Sequence, residues 1–220
     1  MYFRRNLSGE LGVFRFQIKS IKNVFAFPLV VLYILIPAIL ILTMRKYQDI
    51  YYVEENLMLL GQYLVPVLSI WWLCFAFIEF VEGEGNELYF VNSRMKDNLV
   101  LLWLGLYLLV VGVGCAAVGF WVNTAWLEFI RMAISSCFYV GMVYAVMFIS
   151  GSMTISFLVV MLYWMASVFG EQIPFEWLNC YDTNFMSLEL LSEKYAYIMF
   201  FSVLFYLLGS IANLKKQKFN

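Results

Sequence analysis

The densest group of reactive side chains in this 220-residue sequence is EFVEGEGNELYF, residues 79–90, where Glu79, Glu82, Glu84 and Glu87 fall within nine positions. The chain is only 13% charged, and a long apolar run lies on either side of the group. Histidine is absent, which removes the usual general base, proton shuttle and metal ligand. Without it no nucleophile–base pair of the common kind can be assembled. The four cysteines, Cys74, Cys115, Cys137 and Cys180, show no CxxC spacing. Three lie in apolar runs, where cysteine behaves as a small hydrophobe. Cys180 is the one expected to face an outer, oxidising space, and alone it makes no internal disulfide. No GxxxxGK[ST] loop is present to cradle ATP. A net charge of −1 supplies no basic field for nucleic acid. The expectation is a chain with no catalytic residues, no metal and no cofactor of its own.

The elements that carry these residues follow from composition. Hydrophobic residues make up 64% and aromatics 20%, with a mean hydropathy of +0.81. Soluble domains average about 45–50% apolar and about 25% charged. The reading is an all-α membrane protein. A helix rises about 1.5 Å per residue, so crossing a hydrocarbon core of about 30 Å takes about 20 apolar residues. Six runs fit: 24–44, 57–80, 98–122, 129–149, 153–169 and 195–213. Ser150-Gly151-Ser152 separates the fourth from the fifth as a tight turn. The first run is too long for the apolar core of a cleavable signal peptide.

Lysine and arginine orient the spans. With the N-terminus inside, ten of the 14 basic residues lie in inner segments, and Arg45, Lys46, Arg131 and Lys194 lie outside. Both termini, and the acidic stretch after the second span, are therefore expected to be cytoplasmic. Apart from Glu79 at a helix end, the spans are read as free of Asp, Glu, Lys and Arg, which argues against an ion-coupled carrier. Pro37 and Pro66 fall mid-span and should kink the first two helices. Gly112/Ala116 and Cys115/Gly119 form small-xxx-small pairs in the third.

Three segments outside the spans stand out. In residues 8–24, Leu11, Phe14, Ile18 and Ile21 form one helical stripe that continues to Phe25, with Arg15, Lys19 and Lys22 on its flank and Ser8 as the N-cap. An apolar face with a basic edge describes a helix lying flat on the inner leaflet. Residues 170–194 are longer than a connector needs. Phe175, Trp177 and Leu178 suggest that this outer segment dips back into the interface, and a solvated loop with an aromatic belt is the alternative. Residues 84–92 suit a short surface helix with carboxylates at its positive end; an ordinary solvated loop fits them equally.

Glu82-Gly83-Glu84-Gly85-Asn86-Glu87-Leu88 resembles the E-x-G-T-x-E-L-L coupling-helix pattern in permease subunits of ATP-binding-cassette exporters of the type-2 superfamily. Asn86 stands where threonine is common, and the usual downstream proline is missing. The layout resembles that family over nearly the whole chain. The resemblance implies a fold of six spans with a flat elbow helix at 8–24, a cytoplasmic coupling loop at 82–97 and re-entrant helices within 170–194. It implies a dimer of permeases, identical or not, above two ATPase subunits that hold the ATP and magnesium. Glu82, Glu84, Gly85, Asn86, Glu87, Leu88 and Arg94 would dock the ATPase, with Arg15 and Lys19 as secondary contacts. The aromatic and methionine-rich spans favour an apolar or amphipathic cargo such as a peptide, lipid or drug. The style is similar to bacterial plasma-membrane exporters of antimicrobial peptides or their immunity systems. The rival expectation is a non-transporting immunity or scaffold protein that binds a partner through the same loop.

Overall fold

A computed structural model describes residues 2–82, 93–169 and 176–218, and the described residues are helical with no strand. The helices in order are α1 (Tyr2–Ile21), α2 (Asn23–Tyr47), α3 (Ile50–Tyr63), α4 (Val65–Glu82), α5 (Ser93–Val118), α6 (Ala125–Ser150), α7 (Met153–Phe169) and α8 (Ala196–Lys218). Two short helical turns, Leu188–Leu190 and Leu191–Tyr195, lead into α8. Five apolar stretches are long enough to cross a membrane: Asn23–Tyr47, Ile50–Ile78, Met95–Val118, Ala125–Ser150 and Leu188–Lys215. The sixth expected span, α7, is a shorter apolar helix. This is the architecture of a multi-pass membrane protein.

Several helix limits differ from the expected ones, and local chemistry explains where they fall. The second span was expected from residue 57. Helix begins instead at Ile50, because Gln48 takes a left-handed turn (φ 54°) after α2 and Asp49 caps α3 by accepting from the Tyr51 N–H at 3.0 Å. The polar sequence IYYVEEN is therefore an amphipathic helical turn, with Val53 and Leu57 buried and Tyr51 and Tyr52 exposed. Pro66 lies just past a break at Leu64, so α3 and α4 are two helices in one apolar rod. Pro37 follows a wide π turn over Val31–Leu35, the local departure from α geometry that a missing N–H invites. The third span starts at Ser93, inside the expected 82–97 loop, and ends at Val118.

The hub is α6. Of its apolar window 72% is buried, against 17% for α2, so α6 is enclosed by the other helices and α2 faces outward. Close approach of α6 and α8 depends on two glycines: a Cβ on Gly141 would stand 2.8 Å from the Ser202 carbonyl oxygen, and one on Gly209 would overlap the Tyr144 ring. The expected pair in the third span works differently. A Cβ on Gly112 would meet the Phe129 ring at 3.4 Å, a side-chain contact and no backbone approach.

Helix α1 runs from Tyr2, so Ser8 lies within the helix and does not cap it. Among its described side chains the innermost is Gln17, not a member of the apolar stripe. Gln17 donates to the Ala76 carbonyl at 3.0 Å and accepts from the Trp103 indole at 3.0 Å. Buried indole N–H groups need acceptors. Trp72 finds the Phe25 carbonyl at 3.1 Å while its ring stacks on Phe25 at 4.5 Å. These bonds fasten α1 and the start of α2 against α4 and α5. The end of the bundle that holds α1, Glu82, Asp97 and Asn213 is called the near end below; the end that holds residues 48–49, 119–124 and 176–187 is the far end.

Candidate functional site

At the near end, α4 ends at Glu82 and α5 begins at Ser93, on either side of the acidic residues that lie outside the described ones. Glu82 reaches across to the turn between α6 and α7. Its Oε1 accepts from the Ser152 hydroxyl at 2.7 Å, the Met153 N–H at 2.7 Å and the Thr154 N–H at 3.3 Å. The first N–H groups of a helix have no partner within it, and its N-terminus carries partial positive charge. Glu82 thus caps α7 from another helix. The turn that presents these donors needs Gly151, whose φ is 74°, and its N–H closes on the Met147 carbonyl at 2.9 Å. The Ser152 hydrogen bond, with the Thr154 and Met153 N–H groups, lowers the Glu82 carboxyl below its ordinary 4.5, outweighing the opposing effect of burial.

The other shoulder is Asp97, on the first turns of α5. Its carboxylate accepts from the Tyr144 hydroxyl of α6, from the Ser210 hydroxyl of α8 at 2.8 Å and from the Asn213 amide of α8 at 3.1 Å. The Tyr206 hydroxyl donates to the Asp97 carbonyl at 3.2 Å. Its neighbour Lys96 is also buried, with its ammonium 5.5 Å from the centre of the Phe148 ring. Both were expected in the 82–97 coupling loop, but α5 already runs through them and carries them between α6 and α8.

Of the residues expected to dock a partner, Glu84, Gly85, Asn86, Glu87 and Leu88 lie outside the described residues, as do the side chains of Glu79 and Arg94. Arg15 and Lys19 are exposed, on the side of α1 away from Gln17. They ride on a helix tied to both shoulders: Gln17 bonds α4 and α5, and Glu10 accepts from Asn98, next to Asp97, at 2.9 Å.

The far end holds a second polar cluster, and here the expectation of charge-free spans is corrected. Arg131, counted as an outer residue, lies inside α6 with Glu128, and both are 0% exposed. Their side chains are 3.4 Å apart. The Arg131 Nη2 donates to the Asn184 carbonyl at 2.6 Å, Glu128 accepts from the Met186 N–H at 2.9 Å, and the guanidinium lies over the Tyr195 ring at 5.6 Å. Gln62 holds the same strand of chain by exchanging two hydrogen bonds with the Asp182 backbone, at 3.0 and 2.7 Å. Lys194 pairs with the Asp182 carboxylate at 2.8 Å and donates to the Tyr181 carbonyl at 2.8 Å. Burial alone would raise the Asp182 carboxyl, but the Lys194 and Asn184 hydrogen bonds and the nearby cations outweigh it and hold it low.

Cys180 does not face outside. It is 5% exposed, beneath Tyr163 and Tyr195, and burial pushes its thiol up to about 11, which leaves little reactive thiolate. Residues 177–187 are therefore seated in the bundle mouth by side chains of α3, α6, α7 and the approach to α8. The sequence held one overlooked signal for this cluster: an acid and a base at i, i+3 inside an apolar stretch.

Among the described residues no group of three His, Cys, Asp or Glu gathers closely enough to hold a metal ion. No protein-family model matches the chain, and neither a curated protein nor a solved structure does.

Proposed function

We propose that the chain is the transmembrane subunit of an ATP-driven exporter of the ATP-binding-cassette type, worked through the segment between Glu82 and Ser93. One observation carries this reading: each shoulder of that segment is bonded by a carboxylate to helices beyond its own. Glu82 grips the start of α7, and Asp97 grips α6 and α8. A push on residues 83–92 would therefore be felt by α4, α5, α6, α7 and α8 together, as a lever requires. The resemblance of residues 82–88 to a coupling-helix pattern supplies the identity of what pushes. The partner is an ATPase subunit that binds ATP and magnesium, docked on Glu82, Glu84, Gly85, Asn86, Glu87, Leu88 and Arg94, with Arg15 and Lys19 beside them.

In this reading the near end is cytoplasmic, the membrane is a bacterial plasma membrane, and α7 completes six spans. Helix α1 is the elbow on the inner leaflet, where each basic side chain adds about 1 kcal/mol of attraction to anionic lipid. A second permease copy completes the pathway for an apolar or amphipathic cargo, and residues 170–194 form its re-entrant outer segment. The ion pair Glu128–Arg131, joined to backbone of that segment, suits an outer closure better than an ion path.

The test is copurification from native membranes followed by ATP turnover. An ATPase should accompany the chain, and Glu84→Lys with Glu87→Lys should release it or uncouple hydrolysis from transport, with membrane insertion unchanged. Normal transport in that double variant sinks the docking assignment. Absence of any ATPase leaves the non-transporting immunity or scaffold reading in its place.

A further inference from the structure

Between α2, α3 and α5, in the half of the bundle toward the far end, lies an apolar groove of about 660 Å³, within the range of about 300–1,000 Å³ typical of small-molecule sites. Its walls include Leu40, Val53, Leu57, Gly114 and Val118, and it is partly open to the surroundings of the bundle, where Ile41 and Trp121 are exposed. Tyr33 lines its deep end, where its hydroxyl donates to the Val110 carbonyl at 2.7 Å. The one charged residue among the lining side chains is Arg45, in the last turn of α2. No ion pair among the described residues reaches Arg45. From Tyr33 to Arg45 the helix rises roughly 18 Å. Half of a hydrocarbon core is about 15 Å. The groove is thus one leaflet deep, greasy along its length, and cationic at the level of the headgroups.

We infer that this groove holds one acyl chain of an anionic membrane phospholipid, with the phosphate at Arg45. The inference is independent of the exporter reading, since it needs a membrane and a single copy of the chain. Depth matches a bilayer lipid, whose phosphate sits at the leaflet boundary. Charge selects an anionic lipid, because a zwitterionic headgroup would bring its own cation toward Arg45, the charged residue of the lining.

Native mass spectrometry of the purified full chain in detergent tests this, with phosphatidylglycerol and phosphatidylcholine of identical acyl chains as probes. The wild type should bind phosphatidylglycerol about fivefold more tightly, the weight of one basic side chain at an anionic bilayer surface. Arg45→Gln should erase the preference. Lys46→Gln, which removes an equal charge from a side chain lying over the Tyr47 ring, should keep it. Gly114→Leu should weaken both lipids, because a Cβ there meets only the Tyr33 ring at 3.9 Å and the added bulk enters the groove. If that variant does not come out folded, Ala117→Leu fills the same wall. Equal binding of the two lipids by the wild type, equal effects of Arg45→Gln and Lys46→Gln, or wild-type binding by the folded filled-groove variant each overturns the inference.

Discussion

The near and far ends of the bundle both use carboxylates to hold distant segments together, but with different partners. At the near end every donor described for Glu82 and Asp97 is neutral: hydroxyls, an amide and backbone N–H groups. At the far end Glu128 and Asp182 are each matched with a cation, Arg131 and Lys194. Neutral donors satisfy a carboxylate's hydrogen-bonding capacity and leave its charge in place. Cations cancel it, at the cost of desolvating two charges. The Glu82 and Asp97 carboxylates therefore keep their charge beside an already acidic segment. At the far end these two carboxylates are neutralised where residues 182–186 are seated.

Mutations at each end test that contrast. The largest effect is expected at Arg131. Arg131→Met leaves Glu128 buried without its cation, and breaking a buried pair in this way costs about 3–5 kcal/mol. Thermal unfolding in detergent should show the loss, and the double change Glu128→Gln with Arg131→Met should recover most of it, because a glutamine oxygen still accepts from Met186. If the single and double variants are equally unstable, the ion pair is not what holds residues 182–186.

Asp97→Asn should cost less, about 1–3 kcal/mol, since an amide nitrogen cannot accept from the donors that now share two carboxylate oxygens. Hydrogen exchange should rise at the near-end turns of α5, α6 and α8 and leave the far end unchanged. Exchange that rises equally at both ends would erase the distinction between them.

Glu82→Ala removes an inter-helix cap, worth about 1 kcal/mol for caps in general. The first turn of α7 should exchange faster while α6 holds. The folded carboxyl is depressed, so its contribution is fully present above the ordinary value near 4.5 and is lost as pH falls through the lower folded value. Protection at the start of α7, relative to intrinsic exchange, should fall in that acid window in the wild type and stay flat in the variant.

The smallest effect belongs to Lys194→Met. The Lys194 and Asp182 side chains are 16% and 12% exposed, and partly solvated pairs contribute about 0.2–1 kcal/mol. Asp182 is also depressed, so its share follows the same sign, present above about 3.9 and fading on acidification. Proteolysis of residues 176–187 as a function of pH should show the acid-side opening shift toward neutrality in the variant.

The helices were legible because hydropathy is local. Each apolar run supplies its own burial or lipid exposure, and each helix satisfies its own backbone, so no distant partner is needed to form it. Helix limits were less legible. The start of α3 at Ile50 depends on Gln48 adopting a left-handed turn, and a single glutamine gives no warning of that. Gln17 illustrates the same limit on a helix that was foreseen. The apolar stripe pointed to one face, but two acceptor and donor groups on α4 and α5 drew a polar residue inward. Lys96 and Asp97 read as loop because they are charged, and they are buried because α6 and α8 bring Phe148, Tyr144, Ser210 and Asn213 to them.

Sequence alone determined that the chain is helical, that its main solvent is apolar, and that acidic residues crowd one inter-helix segment, since these depend on residue type and short-range spacing. Tertiary structure decided which charges are buried. Arg131 meets the Asn184 carbonyl 53 positions away, and Glu82 meets the Met153 N–H 71 positions away. A charged group survives burial only where donors and acceptors converge on it, and that convergence is set by how whole helices pack.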